Sequence, residues 1–352
     1  MAYSENEIQE ITTPTRLHTR RQFIIKSSVL SGTLAIPATL MSFVEFDEKN
    51  TDRMFDVIIV GGSYAGLSAA MALGRSLRKV LIIDSGLPCN RQTPYSHNFV
   101  TQDGEKPKDI ADKAKQQVLN YNSVSFHEDV ALKLRPTGSL FELSTQSRAV
   151  FSAGKVLFAT GLKDIMPAIS GFSNCWGISI LHCPYCHGYE VKGQKTGILG
   201  NGNVAFHYAQ LVSNLTDKLS IFTDGKAQFT ADQYQLMRKN NIQVVEQSVQ
   251  SIVHDKGKLS GLVLQDGAVH PLGALYARPA FEQHCKIPVE LGCELTEQGL
   301  LKLNTAQQTS IPGIYACGDN SAFRSVATAV STGSHAGAAI NMALSTENFN
   351  LK

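Results

Sequence analysis

The sequence has no long run of like charges and few cysteines for its length. Its 352 residues include 32 lysines and arginines against 30 aspartates and glutamates, a formal net charge of +2. This balance offers no basic surface for nucleic acid, so we expect no nucleic-acid partner. Seven scattered cysteines are too few for a disulfide scaffold. With 43% hydrophobic residues, the chain is long enough for two globular domains.

The N-terminal segment lacks the uninterrupted apolar run of a membrane anchor. Arg20 and Arg21 precede Phe23, and residues 27–44 are uncharged but interrupted by serines, a glycine and a proline. The interruptions predict no stable membrane span. The order of arginine pair, phenylalanine and apolar stretch predicts a twin-arginine export signal and tether over residues 1–50, with the protein in the periplasm or cell envelope. No clear Ala-x-Ala cleavage site follows, and a cytoplasmic protein with a basic tail is the alternative.

The first glycine-rich segment joins a predicted strand to a predicted helix. Residues 55–60 are apolar and β-rich, the turn Gly-Gly-Ser-Tyr-Ala-Gly follows, and apolar residues then recur at helical spacing. Gly61 allows a tight turn, the small Ser63 leaves room for a pyrophosphate, and Gly66 allows close helix packing. The next predicted strand ends in Asp84, which is placed to accept hydrogen bonds from a ribose. The predicted dinucleotide contacts are Gly61, Gly62, Ser63, Ala65, Gly66 and Asp84.

A second segment repeats this arrangement. Residues 196–199 form a predicted strand, followed by the turn Gly-Asn-Gly-Asn-Val-Ala and a predicted helix. The next predicted strand, residues 219–222, leads to Asp224 at the ribose position, where a carboxylate would repel a 2′-phosphate. Lys226 is the cation nearby and no arginine follows directly, so NADH, NADPH and a vestigial site all stay open. The predicted contacts are Gly200, Gly202, Ala205 and Asp224.

Between the two turns lies the segment His-Cys-Pro-Tyr-Cys-His-Gly-Tyr-Glu. Cys183 and Cys186 are spaced to close a small disulfide ring, which predicts a redox-active dithiol. Structural zinc needs four ligands, and the sequence has no second Cys-x-x-Cys, so we predict no metal site. His187 is a candidate acid/base because thiol exchange needs a group that titrates near neutral pH, and His182 is a weaker candidate. Four cysteines are predicted to be inert core residues: Cys175, Cys285, Cys293 and Cys317.

A short predicted strand late in the chain ends at Gly318 and Asp319, before an alanine-rich helix that begins near Val326. An aspartate in this position can bind ribityl or pyrophosphate groups. Taken alone, it can equally be the N-cap of a packed helix.

With these motifs in order, residues 54–346 resemble the thioredoxin reductase-like branch of the pyridine nucleotide-disulfide oxidoreductases. The specific feature is the order: a glycine-rich turn, Ala-Thr-Gly at residues 159–161, Cys-x-x-Cys, a second turn and Gly-Asp. The resemblance implies an α/β fold of two Rossmann-like, three-layer ββα dinucleotide-binding domains, the second inserted in the first. It implies an FAD-binding domain at 54–163 and 275–346, and an inserted NAD(P)-binding domain with the dithiol at 164–274.

The resemblance also implies roles for individual residues. FAD would bind the first and last motifs, with Asn90, Val130 and Ala327 as further candidates by position, and NAD(P)H is a candidate second cofactor. Cys186 would face the flavin, and Cys183 would exchange with the substrate. The implied partners are a thioredoxin-like protein or a small dithiol or disulfide, and a second copy in a homodimer.

The sequence departs from typical thioredoxin reductases in two places. His187 stands where an aspartate is usual, and the arginines that hold NADPH are missing after residue 222. The dithiol segment is similar to that of dithiol oxidases of the gliotoxin and holomycin type. We therefore expect a reductase as the family default, with an exported dithiol oxidase that uses oxygen or a quinone as the alternative. A non-catalytic flavin redox sensor is a third hypothesis.

Overall fold

The computed structural model describes residues 53–351, so the predicted signal at residues 1–50 lies outside the described part. The strands are β1 (Met54–Val60), β2 (Val80–Asp84), β3 (Val124–Glu128), β4 (Ala131–Thr137), β5 (Leu140–Thr145), β6 (Val150–Phe158), β7 (Leu162–Ile165), β8 (Ile180–Leu181), β9 (Thr196–Leu199), β10 (Leu219–Phe222), β11 (Gln243–Val245), β12 (Val249–Asp255), β13 (Lys258–Leu264), β14 (Val269–Pro271), β15 (Ala274–Ala277), β16 (Ala280–Gln283) and β17 (Ile314–Ala316). The helices are α1 (Tyr64–Arg75), α2 (Pro107–Leu119), α3 (Phe172–Cys175), α4 (Pro184–His187), α5 (Gly202–Val212), α6 (Ala231–Lys239), α7 (Ile287–Glu290) and α8 (Val326–Asn350).

The first sheet has a parallel half and an antiparallel half that meet at β6. The parallel half runs β3-β2-β1-β6, with β17 beside the end of β6. The antiparallel half adds β5 and β4 to the start of β6. Strands β1 and β2 are nearly continuous apolar runs and are mostly buried, as central parallel strands covered on both faces require. Hydrophobic clusters cover both faces of this sheet.

Helices α1 and α8 pack closely on one face of the first sheet. A Cβ at Gly333 would lie 2.1 Å from the Ala65 carbonyl oxygen, and one at Gly337 would lie 2.6 Å from the Ala69 carbonyl oxygen. Only glycine allows the two backbones to approach so closely. This packing brings the late part of the chain against the first glycine-rich turn.

The second domain has a parallel sheet in the order β11-β10-β9-β15-β8 and a separate antiparallel sheet, β12-β13-β14. Helix α6 begins with a capping box, in which Thr230 and Gln233 exchange hydrogen bonds between side chain and backbone. Two further hydrophobic clusters fill this domain.

Strands β7 and β16 pair as a two-stranded antiparallel sheet where the chain enters and leaves the second domain. The second domain is therefore inserted in the first, and the predicted α/β fold of two Rossmann-like domains is confirmed. Strand β15 crosses the predicted boundary between 274 and 275, and its pairing with β9 and β8 places it in the inserted domain. Within residues 53–351, no helix combines the length and hydrophobicity needed to span a bilayer.

Candidate active site: a dithiol between two dinucleotide-binding turns

The turn between β1 and α1 has no room for side chains at two of its glycines. Gly61 has a φ of +104°, and a Cβ there would lie 2.3 Å from the Ala159 carbonyl oxygen. A Cβ at Gly66 would lie 1.8 Å from the Gly61 carbonyl oxygen. The two glycines therefore let the turn pack tightly at the N-terminus of α1, where peptide N–H groups can reach a pyrophosphate.

Asp84 is fixed at the C-terminal edge of the sheet, as the sequence predicted for a ribose acceptor. Its carboxylate accepts hydrogen bonds from the backbone N–H groups of Gly62 at 2.6 Å and Gly86 at 2.8 Å. Ser63 is the N-cap residue of α1, but its side chain makes no capping hydrogen bond. The strand end, the turn and the helix start thus form one continuous surface.

Gly318 and Asp319 follow β17 and lie against the first turn. A Cβ at Gly318 would lie 2.9 Å from the Cβ of Ala65, and the Gly318 N–H donates to the Thr332 hydroxyl at 3.0 Å. Burial raises the pKa of Asp319 to about 6, although the Arg324 guanidinium acts in the opposite direction. The first and last predicted flavin motifs therefore meet, although they are far apart in sequence.

The three positional candidates lie around this surface. The Asn90 side-chain amide donates to the tyrosine hydroxyl at the start of α1 at 3.4 Å. Val130 is exposed beside the end of β2, where the Asp129 N–H donates to the Asp84 carbonyl oxygen at 3.0 Å. Ala327 is exposed in the first turn of α8.

These residues fit a bound FAD. The glycine-rich turn would hold the pyrophosphate, Asp84 the adenosine ribose, and the segment at Asp319 the flavin half. Thr160, next to the Ala159 carbonyl that packs on Gly61, has a buried hydroxyl without a hydrogen-bond partner among the described residues. A buried hydroxyl without a partner is uncommon in a folded interior, and here it is available to hydrogen-bond a bound cofactor.

Cys183 is the N-cap residue of the short helix α4, and Cys186 lies within that helix. The Cys183 Sγ accepts the Cys186 backbone N–H at 3.2 Å, and Pro184 fills the first helical position, where its missing N–H costs nothing. Cys183 is 8% exposed, Cys186 is half-buried, and both are free thiols. Within residues 53–351, no group of three or more His, Cys, Asp or Glu side chains is placed to hold a metal ion. Of the predicted inert cysteines, three are buried and one is half-buried: Cys175, Cys293 and Cys317, and Cys285.

The pKa values of the two thiols are shifted in opposite directions. A hydrogen bond from the Cys186 thiol, supported by the backbone N–H groups of Cys186 and Tyr185, lowers the pKa of Cys183 to about 7 against the effect of burial. The same thiol–thiol hydrogen bond and burial raise the pKa of Cys186, and the Asp319 carboxylate adds to that increase. Cys183 is thus the thiolate of the pair, and Cys186 is the protonated partner influenced by the late flavin motif.

Alkylation of the reduced protein should show this difference as a dependence on pH. Because the thiolate is the nucleophile, we expect the iodoacetamide rate at Cys183 to rise through a midpoint near pH 7 and to level off above it. Peptide mass spectrometry would resolve Cys183 from Cys186 and from the exposed Cys89. A Cys183 rate that continues to rise to pH 9 would contradict the assignment.

Two histidines flank the dithiol in sequence. Burial lowers the pKa of His187, His97 lowers it further, and Glu190 opposes the change. Since the ordinary histidine pKa is about 6.5, His187 is neutral near pH 7 and can accept a proton. Burial lowers the pKa of His182 to about 4, and its backbone carbonyl accepts the Tyr208 hydroxyl at 2.7 Å. The acid/base role of His187 stays a hypothesis that this environment suits.

The sequence analysis missed an ion pair beside the dithiol. Arg324 binds Asp164 on β7 through two hydrogen bonds of 2.8 and 3.1 Å, and its Nε lies 3.8 Å from the Asp319 carboxylate. The guanidinium also contributes to the lowered pKa of Cys183. A single arginine therefore links the strand that enters the inserted domain, the late flavin motif and the reactive thiol. The sequence signal was slight: Arg324 follows the Gly-Asp motif closely.

The second turn lies between β9 and α5, as predicted, and it is more open than the first. A Cβ at Gly200 would contact only the Cβ of Ala205, at 3.7 Å, and Ala205 is buried. Gly202 has a φ of +57° at the start of α5. The glycines in this turn therefore do not relieve a close backbone contact, because a Cβ at either position would make only ordinary van der Waals contacts.

The side chain of Asn201 ties this turn to the loop after β10. Its Oδ1 accepts the backbone N–H groups of Gly202 and Gln228, both at 2.8 Å. Its Nδ2 donates to the carbonyl oxygens of Lys226 at 2.9 Å and Thr223 at 3.4 Å. An asparagine that bridges four backbone groups fixes the loop where the far half of a dinucleotide is expected.

Two carboxylates lie along this loop. The Asp224 carboxylate accepts the Val249 N–H at 2.9 Å, and the Glu246 carboxylate accepts the Ala227 N–H at 3.1 Å. Within residues 223–228, Lys226 is the only cation. The turn fits a nicotinamide dinucleotide, but the loop offers little to bind a 2′-phosphate.

Two dinucleotide-binding turns, a shared Gly-Asp segment and a dithiol with one acidic thiol define an FAD-dependent disulfide oxidoreductase. Residues 55–333 match the pyridine nucleotide-disulphide oxidoreductase family, and the chain belongs to that family.

Known relatives agree with this assignment. The chain is 31% identical to thioredoxin reductase aclD from Aspergillus oryzae over 297 residues, which cover 80% of this chain and 93% of that one. It is 29% identical to thioredoxin reductase sirT from Leptosphaeria maculans over 306 residues, which cover 82% and 94%. A solved structure of an oxidoreductase from Agrobacterium tumefaciens is 34% identical, with a TM-score of 0.78 over 83% of this chain and 98% of that one. The chain is therefore a thioredoxin reductase-like enzyme, as predicted.

Proposed function

We propose that this enzyme reduces disulfides by thiol–disulfide exchange at Cys183, with electrons that enter from NAD(P)H. The observation that carries the proposal is the pairing of an acidic Cys183 thiol with a protonated Cys186 thiol in one helical turn. The Cys183 thiolate attacks one substrate sulfur and releases the other as a thiolate. Cys186 then gives its proton to His187, the candidate acid/base, and attacks the Cys183 sulfur, which frees the second substrate sulfur as a thiolate and leaves a Cys183–Cys186 disulfide. A bound flavin, once reduced by NAD(P)H, would supply the two electrons that restore the dithiol.

The substrate we propose is a thioredoxin-like protein or a small disulfide. The names of the fungal relatives support the first. The rim of the dithiol supports either, since Tyr185 is 63% exposed and Tyr189 is 71% exposed on either side of Cys186. Aromatic side chains at a rim supply contact area at low entropic cost.

One observation favours the reverse direction as a second candidate. Asp224 lies on the loop where NADPH would need cations, and Glu246, which follows β11, contacts that loop. The proposed twin-arginine signal would also carry the protein away from the reduced nicotinamide pool. In that case a substrate dithiol reduces the Cys183–Cys186 disulfide, and oxygen or a quinone takes the electrons from the flavin.

Anaerobic mixing distinguishes the directions. For a reductase, we expect NADH or NADPH to bleach the flavin absorbance near 450 nm, a band common to flavins (an estimate to about 10 nm). For an oxidase, we expect dithiothreitol to bleach it while neither nicotinamide does. A purified protein that shows no flavin absorbance, even after incubation with FAD, would overturn both proposals.

A Cys186→Ser variant is the matched control for this experiment. Reduction of the flavin by nicotinamide does not need the dithiol and should persist in the variant. Reduction by dithiothreitol does need it and should fail. If dithiothreitol bleaches the variant as fast as the wild type, it acts directly on the flavin and reports nothing about the dithiol.

We also propose export by the twin-arginine route and a homodimer. Arg20 and Arg21 support the first, and cell fractionation tests it. Exposed apolar side chains near the end of α8 support the second, and sedimentation of the purified protein tests it. They are Met342 at 68% exposure, Phe349 at 81% and Leu351 at 86%.

A further inference from the structure

His97 lies between two carboxylates, one from each domain. Its Nδ1 is 3.7 Å from the Asp103 carboxylate, and its Nε2 is 3.5 Å from the Glu190 carboxylate. Asp103 belongs to the segment of the first domain that precedes α2, whereas Glu190 follows the dithiol helix in the inserted domain. A protonated imidazole donates from both ring nitrogens and can serve both carboxylates at once.

The segment that carries His97 is held rigidly. The Ser96 N–H donates to the Glu105 carbonyl oxygen at 2.8 Å, and the Gly104 N–H donates to the Ser96 carbonyl oxygen at 2.9 Å. The Asn98 N–H donates to the Asp103 carboxylate at 2.7 Å. This closed loop presents His97, whose side chain is only 20% exposed, as a fixed group toward the dithiol helix.

His187 contacts the same group. The His97 and His187 rings lie edge to face, with centroids 6.5 Å apart and an interplanar angle of 89°. His187 is the residue directly after Cys186. His97 thus connects the first domain to His187, the proposed acid/base, and Glu190 of the inserted domain contacts His97 as well.

We propose that His97 is a positioning residue, which together with Glu190 holds His187 and the dithiol helix in place for proton transfer during dithiol–disulfide exchange. The inference rests on the proposed function, in which the dithiol exchanges protons and electrons. The contacts it uses join the two domains, so the loss of either partner removes a link between the dithiol helix and the flavin-binding domain.

The charges of the two partners act on His187 in opposite senses. The Glu190 carboxylate favours protonation of His187, and His97 disfavours it. The titratable groups that face His97 are Asp103, Glu190 and His187. Removal of His97 or Glu190 should move the pH profile of flavin reduction, in a direction set by the sign of that residue's effect on His187.

The test compares His97→Gln and Glu190→Gln with wild type in anaerobic reduction of the flavin by dithiothreitol across pH 5–9. We expect each variant to be about tenfold slower, with the double variant no slower than the slower single variant, because both act through one contact. The acidic limb of the profile should move to higher pH in His97→Gln, since the pKa of His187 rises. It should move to lower pH in Glu190→Gln, since that pKa falls.

Two controls separate this inference from the proposed function. His254→Gln makes the same change at a half-buried histidine in the sheet β12-β13-β14 and should behave as wild type. If dithiothreitol fails to reduce even the wild-type flavin, dithiol–flavin exchange itself is wrong. If wild type reacts and both variants match it, or both slow down with unmoved profiles, the positioning role of His97 is overturned.

Discussion

A Cys183→Ser variant is expected to lose reduction of a small disulfide by at least about 1,000-fold while its flavin content stays unchanged. A serine hydroxyl is not ionised near pH 7 and forms no disulfide, so neither exchange nor electron transfer through the pair can proceed. The residues that fit FAD lie on the first turn and the Gly-Asp segment, and Cys183 is not among them. Turnover of 5,5′-dithiobis(2-nitrobenzoate) and the flavin-to-protein absorbance ratio measure the two effects.

The Cys186→Ser variant should fail at a different step. Its Cys183 can still attack the substrate, but no second thiol resolves the product, so a thionitrobenzoate adduct should persist on the Cys183 peptide. In Cys183→Ser the thiol–thiol hydrogen bond is lost, but burial and the Asp319 carboxylate still raise the pKa of Cys186, so its peptide should be modified more slowly. Cys285→Ser changes a half-buried thiol outside the site and should keep wild-type turnover. Comparable adducts on both peptides, or an active Cys183→Ser enzyme, would contradict the assigned roles.

The sequence predicted the local parts of this site because each is a strand, turn and helix made from neighbouring residues. Gly66 is required where α1 meets the Gly61 carbonyl five residues earlier, and the Cys-x-x-Cys spacing places two sulfurs beside one helical turn. Such constraints act within about ten residues, which is the range over which a sequence pattern can be interpreted directly. The order of these parts along the chain then indicated the two-domain fold.

The groups that tune the dithiol could not be predicted in the same way. Asp164 and Arg324 are 160 residues apart, and only the return of the chain through β16 and β17 brings them together. His97 and Glu190 belong to different domains. Neither pair has a periodic signal, because the register between distant segments is set by packing of the whole domain.

The second turn lies where the sequence predicted it, but its side-chain hydrogen bonds were not predicted. Asp224 follows β10, where a ribose acceptor was predicted, yet its φ is +50° and its carboxylate accepts the Val249 N–H. Asn201 lies between the two glycines of the turn, and its side chain ties the loop to the turn. A pattern of residue types fixes the turn, whereas side-chain hydrogen bonds to later segments decide how open it is.

A Gly66→Ala variant is expected to lose flavin by at least about 100-fold in affinity. The added methyl group would lie 1.8 Å from the Gly61 carbonyl oxygen, and that atom is backbone, so no side-chain rotation can relieve the contact. Either α1 or the turn must move, at a cost of about 3 kcal/mol, which corresponds to roughly a hundredfold in binding if the turn yields. Titration of the flavin-free protein with FAD, followed by flavin fluorescence, measures the loss.

The matched control is Gly154→Ala on β6 in the same domain. A Cβ there would meet only the Asp56 carbonyl oxygen, at 3.5 Å, which is ordinary contact, so flavin affinity should stay within about twofold of wild type. Circular dichroism tests whether Gly66→Ala still folds. A variant with native secondary structure and weak flavin binding locates the defect in the turn, because the rest of the domain is then intact. A folded Gly66→Ala protein that binds FAD as tightly as wild type would show that the cofactor is not held against this backbone.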